Sequence, residues 1–207
     1  MTGSRAGPNI LITGTPGTGK TTTAELVAGA TGLRHLNVGA LVKEQELHSG
    51  WDEEFDCHVI DEDKEPQLVG GVGDVVRLSL SDTRPPHPTP SQVCDALEDI
   101  MTAGANIVDH HGCDFFPERW FDLVVVLQAD NTILWERLEK RKYGLNKIQE
   151  NVQCEIMHVI VEEALESYRQ DIVQVLPSNT VPEMESNVDR ICAWVAAWKQ
   201  AAQAGPA

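Results

Sequence analysis

The octapeptide 14-GTPGTGKT-21 decides how this chain folds. It satisfies G-x-x-x-x-G-K-[ST] at every fixed position. It follows a short β-prone run, 9-NILIT-13, and opens a stretch in which Leu26, Val27 and Ala30 recur at helical spacing, with Gly32 as the stop. Strand, loop and helix in that order are the context in which such a loop cradles phosphate. Gly14, Gly17 and Gly19 allow the tight turns that aim backbone N–H groups inward. The helix N-terminus adds a positive end, worth about 0.3–1 kcal/mol per anionic group. Lys20 is placed to reach β- and γ-phosphates, Thr21 to offer its hydroxyl to Mg²⁺, and Thr22 to touch the α-phosphate.

Outward from the loop, strands and helices alternate. Residues 34–38 (RHLNV), 106–111 (NIVDHH), 123–129 (LVVVLQA) and 172–176 (IVQVL) read as further strands. The third of these is apolar at consecutive positions, as a strand covered on both faces is. Ala96, Leu97, Ile100 and Met101 share one helical face. Residues 131–141 and 148–169 read as helices, and Val188, Ile191, Val195 and Trp198 mark an amphipathic terminal helix. The pattern predicts one α/β domain over 1–207: a P-loop NTPase with a five-stranded parallel sheet flanked by helices.

Composition narrows the partners. The 207 residues carry 32 acids against 16 bases, a formal charge of −16. Such a surface repels a phosphate backbone, so non-specific nucleic-acid binding is not expected. A small anion held in one locally positive pocket, or a basic protein, is compatible with it. No apolar run approaches the roughly 18 residues of a membrane helix, and the N-terminus lacks a signal layout. No membrane partner is expected, and the chain is expected to stay inside the cell. The 5 cysteines are scattered and form no C-x-x-C pair, which argues against a disulfide framework or zinc ribbon.

The stretch 109-DHHGCDFFPERW-120 gathers ligand-type residues. Asp109 closes a predicted strand next to the loop, where a carboxylate faces the Mg²⁺–phosphate site. His110 and His111, if both on the strand, point to opposite faces and cannot share a metal. His111 has the parity of Asp109 and is expected to line the same pocket. Cys113 reads as a packed thiol, and Asp114 as a second site acid or, in preference, the N-cap of the following turn. A different anomaly is the segment 65–92, rich in Gly and Pro, which reads as a loop or a disordered insertion; its VVRLSL could form a short strand.

With these residues identified, the chain resembles the adenylate kinase isoenzyme 6 family, also called the coilin-interacting nuclear ATPases. The resemblance is carried by PNILITGTPGTGKTT, LNVG, EEFDCHVIDED, IVDHHGCDFFPERWFDLVVVL, ERLEKRKY, NVQCEI and LPSN, and runs nearly end to end. It implies a nucleoside monophosphate kinase fold with a monophosphate-binding arm at 37–60 and a short lid at 140–150. It implies ATP-contacting roles for Gly14, Gly17, Gly19, Lys20, Thr21 and Thr22, and a lid arginine, Arg141, that neutralises the transferring phosphoryl group. Asp109 and His111 match the family's Walker B-like aspartate and histidine, with Thr21 and Asp109 holding Mg²⁺, directly or through water. Adenylate kinase (ATP + AMP to 2 ADP) and ATPase activity are implied. So is a role in nucleus and cytoplasm in 18S rRNA maturation of the small ribosomal subunit, with a basic ribosomal protein as partner.

Two departures from the family pattern stand out. Without 65–92, DEDK would run straight into VCDALED, so the insertion is either a loop of this lineage or a translated intron. In the arm, Ala40 stands where an acid is expected and Lys43 where an arginine is expected. Lysine cannot clamp a phosphate bidentately. Residues 52–63 also hold seven acids and no Lys or Arg, a poor surface for AMP and a good one for a basic protein. An ATP-driven assembly factor with incidental kinase activity is therefore the alternative to an enzyme proper. A small-metabolite kinase is a third reading, against which the resemblance weighs.

Overall fold

The run ahead of the octapeptide becomes the central strand of the sheet. The computed structural model describes residues 5–44, 51–52, 57–58 and 90–204. In chain order the strands are β1 (Ile10–Thr13), β2 (Arg34–Asn37), β3 (Trp51–Asp52), β4 (Cys57–His58), β5 (Asn106–Asp109), β6 (Leu123–Gln128) and β7 (Val173–Pro177). The helices are α1 (Lys20–Thr31), α2 (Val38–Glu44), α3 (Pro90–Ala103), α4 (Asn131–Lys140), α5 (Leu145–Ile156), α6 (Val159–Ser167) and α7 (Val181–Ala204). Five strands pair in parallel in the order β2-β5-β1-β6-β7, as the alternation predicts. β3 and β4 form a separate antiparallel pair.

The sheet is apolar on both faces because helices cover both. Leu11, Leu36, Val108, Val124 and Val126 face α3 (Val93, Leu97, Met101) together with Phe116, Trp120, Phe121 and Tyr168. The alternate residues Ile10, Ile12, Ile107, Val125 and Leu127 face α1 (Ala24, Val27) and α7 (Ile191, Val195). This period-two partition is why the strands read as continuous apolar runs. One polar bolt crosses the core edge. The buried Asn9 donates to the carbonyls of Met101 and Trp120 at 2.8 and 3.0 Å and accepts from the N–H and side-chain amide of Asn106. Among the described residues no helix is long and apolar enough to cross a membrane.

Several predicted boundaries move. The long helix read at 148–169 is two helices: Met157 caps α5, and His158, at φ 55°, turns the chain into α6. Neither residue is a helix breaker, so the break had no sequence signal. The strand predicted at 106–111 ends at Asp109, leaving His110 and His111 in the loop beyond it. Asp114 is not a cap: the 3₁₀ turn is Glu118–Trp120, and the residue at its N-cap is Pro117, with no side-chain cap hydrogen bond. Residues 90–92, read as the end of the insertion, form the first turn of α3, with Pro90 at the position where a missing N–H costs nothing. The rest of the insertion, including VVRLSL, and much of the arm and its acidic strip lie outside the described residues.

Candidate active site

The octapeptide folds as a loop capped by α1. Gly14, Gly17 and Gly19 have φ of 139°, 99° and 95°, a region open to glycine and strained for other residues. At Gly14 space forbids a side chain as well: a Cβ would sit 2.3 Å from the Leu127 carbonyl oxygen. Thr15 organises the loop interior. Its carbonyl accepts from Thr18 N, Thr18 Oγ1 and Lys20 Nζ at 3.2, 2.9 and 3.3 Å. Lys20 also donates to Gly14 O at 2.7 Å, so its ammonium curls over the loop. Thr21 and Thr22 are exposed on the first turn of α1.

A cavity of about 390 Å³ opens beside this loop, lined by Gly17, Gly19, Thr22, Arg137, Lys140, Arg141, Ser178, Thr180, Val181 and Met184. Among the described residues three cations and no acid line it, in a chain of formal charge −16. Arg141, expected from the lid, caps α4 at this cavity; the turn that follows bends through Lys142 at φ 61° and Gly144 into α5. Leu134, Leu138 and Ile148 close the α4–α5 hairpin.

Arg137 is the residue the sequence reading missed. Its guanidinium donates to Gly17 O, Ser178 O and Asn179 O at 3.2, 2.8 and 2.8 Å. Ser178 Oγ in turn donates to Thr18 O at 2.7 Å. The LPSN segment is thus the strap that joins α4 to the phosphate loop. Burial, then the neighbouring Arg141, lowers the Arg137 pKa, and Glu183 works the other way. The only sequence sign of this role was the place of LPSN and ERLEKRKY among the family-like segments.

Asp109 ends β5, 3 % exposed, opposite Ile12 and Asn37 in register. Its Oδ2 accepts from Asn37 Nδ2 at 2.8 Å and lies 3.6 Å from His35 Nε2. Asn37 Oδ1 accepts from Ala40 N at 2.8 Å and so starts α2. One side chain therefore links the carboxylate to the arm. The other oxygen, Oδ1, has no partner among the described residues. A carboxylate with one oxygen held and one available, together with the Thr21 hydroxyl, is a hard-oxygen donor set of the kind Mg²⁺ takes. Among the described residues there is no cluster of three or more His, Cys, Asp or Glu placed to hold a metal by themselves.

His111 lies beyond the end of the strand that Asp109 closes. His111 lines a different cavity, of about 180 Å³, with Thr15, Pro16, Asp114, Glu150, Cys154 and Glu163 among its walls. That cavity borders the phosphate loop at Thr15 and Pro16, and the His111 carbonyl accepts from Thr13 Oγ1 at 2.5 Å. Strand parity does not govern these two residues, because both histidines have left the strand; their rings lie 4.5 Å apart. His110 is core: its ring packs edge-on against Phe115 and Phe116 and its Nδ1–H donates to Gly112 O at 2.8 Å. Cys113 is the packed thiol expected, fully buried, with burial and the nearby Glu163 pushing its pKa up.

Comparison with known proteins agrees with this geometry. Residues 10–158 match the family described as an AAA domain. The chain is 48 % identical over 191 residues to an adenylate kinase isoenzyme 6 homolog of Dictyostelium discoideum, covering 92 % of this chain and 93 % of that one. It is 46 % identical over 193 residues to the homolog of Schizosaccharomyces pombe, covering 93 % and 94 %. Among solved structures, shikimate kinase from Acinetobacter baumannii in complex with shikimate superposes with a TM-score of 0.56 at 15 % identity, covering 93 % of this chain and 95 % of that one. The shikimate kinase from Bacteroides thetaiotaomicron gives 0.52 at 15 %, covering 92 % and 99 %. At such identities the likeness is one of fold: a P-loop kinase sheet with its helices.

Proposed function

This chain belongs to the adenylate kinase isoenzyme 6 family, and from that premise we propose that it transfers the γ-phosphoryl group of ATP to AMP or a related monophosphate, and also hydrolyses ATP. The names of its relatives and its P-loop kinase fold both support a nucleotide kinase. The observation that carries the finer reading is the cavity beside the phosphate loop, whose described walls bring Arg137, Lys140 and Arg141 together without an acid.

Phosphoryl transfer needs positioning and charge neutralisation more than covalent chemistry. In this reading the loop's N–H groups and Lys20 hold the β- and γ-phosphates. Arg141 meets the charge that spreads over the transferring group; an arginine in that role is worth about 10³–10⁵ in rate. Arg137 holds the loop in shape through three carbonyls. Asp109 and Thr21 are the residues that would hold Mg²⁺, directly or through water. Bound there, Mg²⁺ would supply charge neutralisation for the phosphates. His111, on the loop's other flank, is assigned as a second polar group at the reacting centre.

The same proposal includes the wider role: 18S rRNA maturation in the small ribosomal subunit, in nucleus and cytoplasm, with a basic ribosomal protein as partner. Its support is charge, since seven acids in 52–63 disfavour a monophosphate and suit a Lys/Arg-rich surface. Lys43 in place of an arm arginine favours the variant in which ATP hydrolysis releases that protein and kinase activity is incidental.

The deciding assay measures ADP formation and phosphate release from ATP·Mg, with and without AMP, beside Lys20→Ala. AMP-driven ADP formation without free phosphate is expected of the kinase. Slow hydrolysis indifferent to AMP would replace it with the assembly-factor reading. Wild-type turnover equal to that of Lys20→Ala would end both. Neutralising Asp52, Glu53, Glu54 and Asp56 together is expected to weaken binding of the basic partner at physiological salt; unchanged binding removes that part.

A further inference from the structure

Glu155 is a carboxylate in an unexpected place. It is 6 % exposed, on the last turn of α5 and directly behind the phosphate loop. Its Oε2 accepts from Thr15 Oγ1 at 2.5 Å, and its Oε1 from the backbone N–H of Ala129 at 2.7 Å. No cation among the described residues pairs with it. A buried carboxylate without a cation is costly, and negative charge behind an anion-binding loop opposes that loop's purpose. Electrostatics therefore does not account for it; geometry does.

Both of its partners are junctions. Thr15 is 1 % exposed, and its carbonyl receives the bonds from Thr18 N, Thr18 Oγ1 and Lys20 Nζ. Holding the Thr15 side chain holds the carbonyl around which the loop is wound. Ala129 lies between β6 and the Asp130 cap of α4, the helix that carries Arg137 and leads to Arg141. α5 itself begins within the span 140–150 expected for the lid.

We propose that Glu155 is a positioning residue for nucleotide binding: through Thr15 it sets the curvature of the phosphate loop, and through Ala129 it ties that loop to the origin of the arginine-bearing helix and to the lid. The inference rests on the reading of the loop as an ATP site.

The test is calorimetric titration of ATP·Mg into the full chain, well below the melting temperature, for wild type, Thr15→Val, Thr15→Ser and Glu155→Leu with and without Thr15→Val. Thr15→Val keeps the volume and loses the donor; Thr15→Ser keeps the donor. Loss of one hydrogen bond to a charged acceptor is expected to weaken ATP binding roughly tenfold in Thr15→Val. Thr15→Ser should retain wild-type affinity, and adding Thr15→Val to Glu155→Leu should change little. A purely structural bond would lower the melting temperature of Thr15→Val and leave its ATP affinity equal to that of Thr15→Ser; that result overturns the proposal even if Glu155→Leu does not fold. If wild type itself binds no ATP, the nucleotide reading fails first and takes this one with it.

Discussion

Alanine at Gly14 and alanine at Gly29 are the same chemical change with opposite expected signs. Gly14 holds φ 139°, a region that costs an L-residue about 1–3 kcal/mol. Its new Cβ would meet Leu127 O at 2.3 Å, and real Cβ contacts essentially never fall below 3.0 Å. Roughly 0.7 Å must be found, and β6 cannot yield it easily because it is paired on both sides, with β1 and with β7. Overpacking of this kind adds about 1–3 kcal/mol. The two effects together come to about 4 kcal/mol, which for a domain of this size lowers the melting temperature by roughly 8–16 °C. Gly29 lies exposed in α1, and a methyl group added there would meet nothing within 4 Å. There alanine removes only glycine's helix penalty, worth about 0.8–1 kcal/mol, and should raise the melting temperature by about 2–4 °C. Thermal unfolding of both variants, followed by ATP·Mg titration, checks this. Gly14→Ala should also bind ATP at least roughly tenfold more weakly, because the cost of about 4 kcal/mol is concentrated in the loop that must receive the phosphates. A Gly14→Ala protein that melts within about 2 °C of wild type with the same affinity would refute the close-approach reasoning. Equal destabilisation by both variants would show that the sites do not differ as described.

Other outcomes follow from single side chains. Asn9→Leu orphans the Met101 carbonyl and the Asn106 N–H in the core, at about 1–3 kcal/mol each; denaturant titration should show a loss of about 2–6 kcal/mol. Arg137→Lys replaces a fork that spans three carbonyls by a point charge; ATP affinity should fall roughly tenfold while far-ultraviolet dichroism stays unchanged. Asn37→Ala frees Asp109 Oδ2 and uncaps α2; the Mg²⁺ concentration for half-maximal turnover should rise, and a curve identical to wild type would remove Asn37 from the site. Cys154 is exposed, while Cys113 is buried beside Glu163 with its pKa raised by that burial first and by the carboxylate second. Alkylation followed by peptide mass spectrometry should therefore label Cys154 in the native protein, and Cys113 only after unfolding, even at pH about 9, because the raised pKa keeps that thiol protonated as pH climbs.

The strap formed by LPSN gives the site its economy of parts. Four of its backbone and side-chain groups join α4, the phosphate loop and α7: Ser178 O and Asn179 O take Arg137, Ser178 Oγ reaches Thr18 O, and Asn179 N donates to Glu183. A nucleotide seated in the cavity would touch elements from both ends of the chain, so its binding is expected to protect the terminal helix as well as the loop.

What the sequence determined by itself was local or periodic. The octapeptide is contiguous, so its glycines, Lys20 and Thr21 could be read without knowing what lies next to them. Apolar runs announced the three inner strands, because burial at nearly every position leaves a pattern visible in one dimension, and their alternation with helices placed the two edge strands. Asp109 was legible for the same reason, as the polar residue that closes such a run. What only the tertiary structure decided depends on groups far apart in the chain. Arg137 reaches Gly17 across 120 positions, and Thr15 reaches Glu155 across 140. Neither contact leaves a trace in spacing, since hydrogen bonds to a backbone carbonyl or a buried hydroxyl place no demand on neighbouring residues. The break at His158 was hidden because neither Met157 nor His158 is a residue that stops a helix, and the place of His111 because strand parity ends where pairing ends, at Asp109.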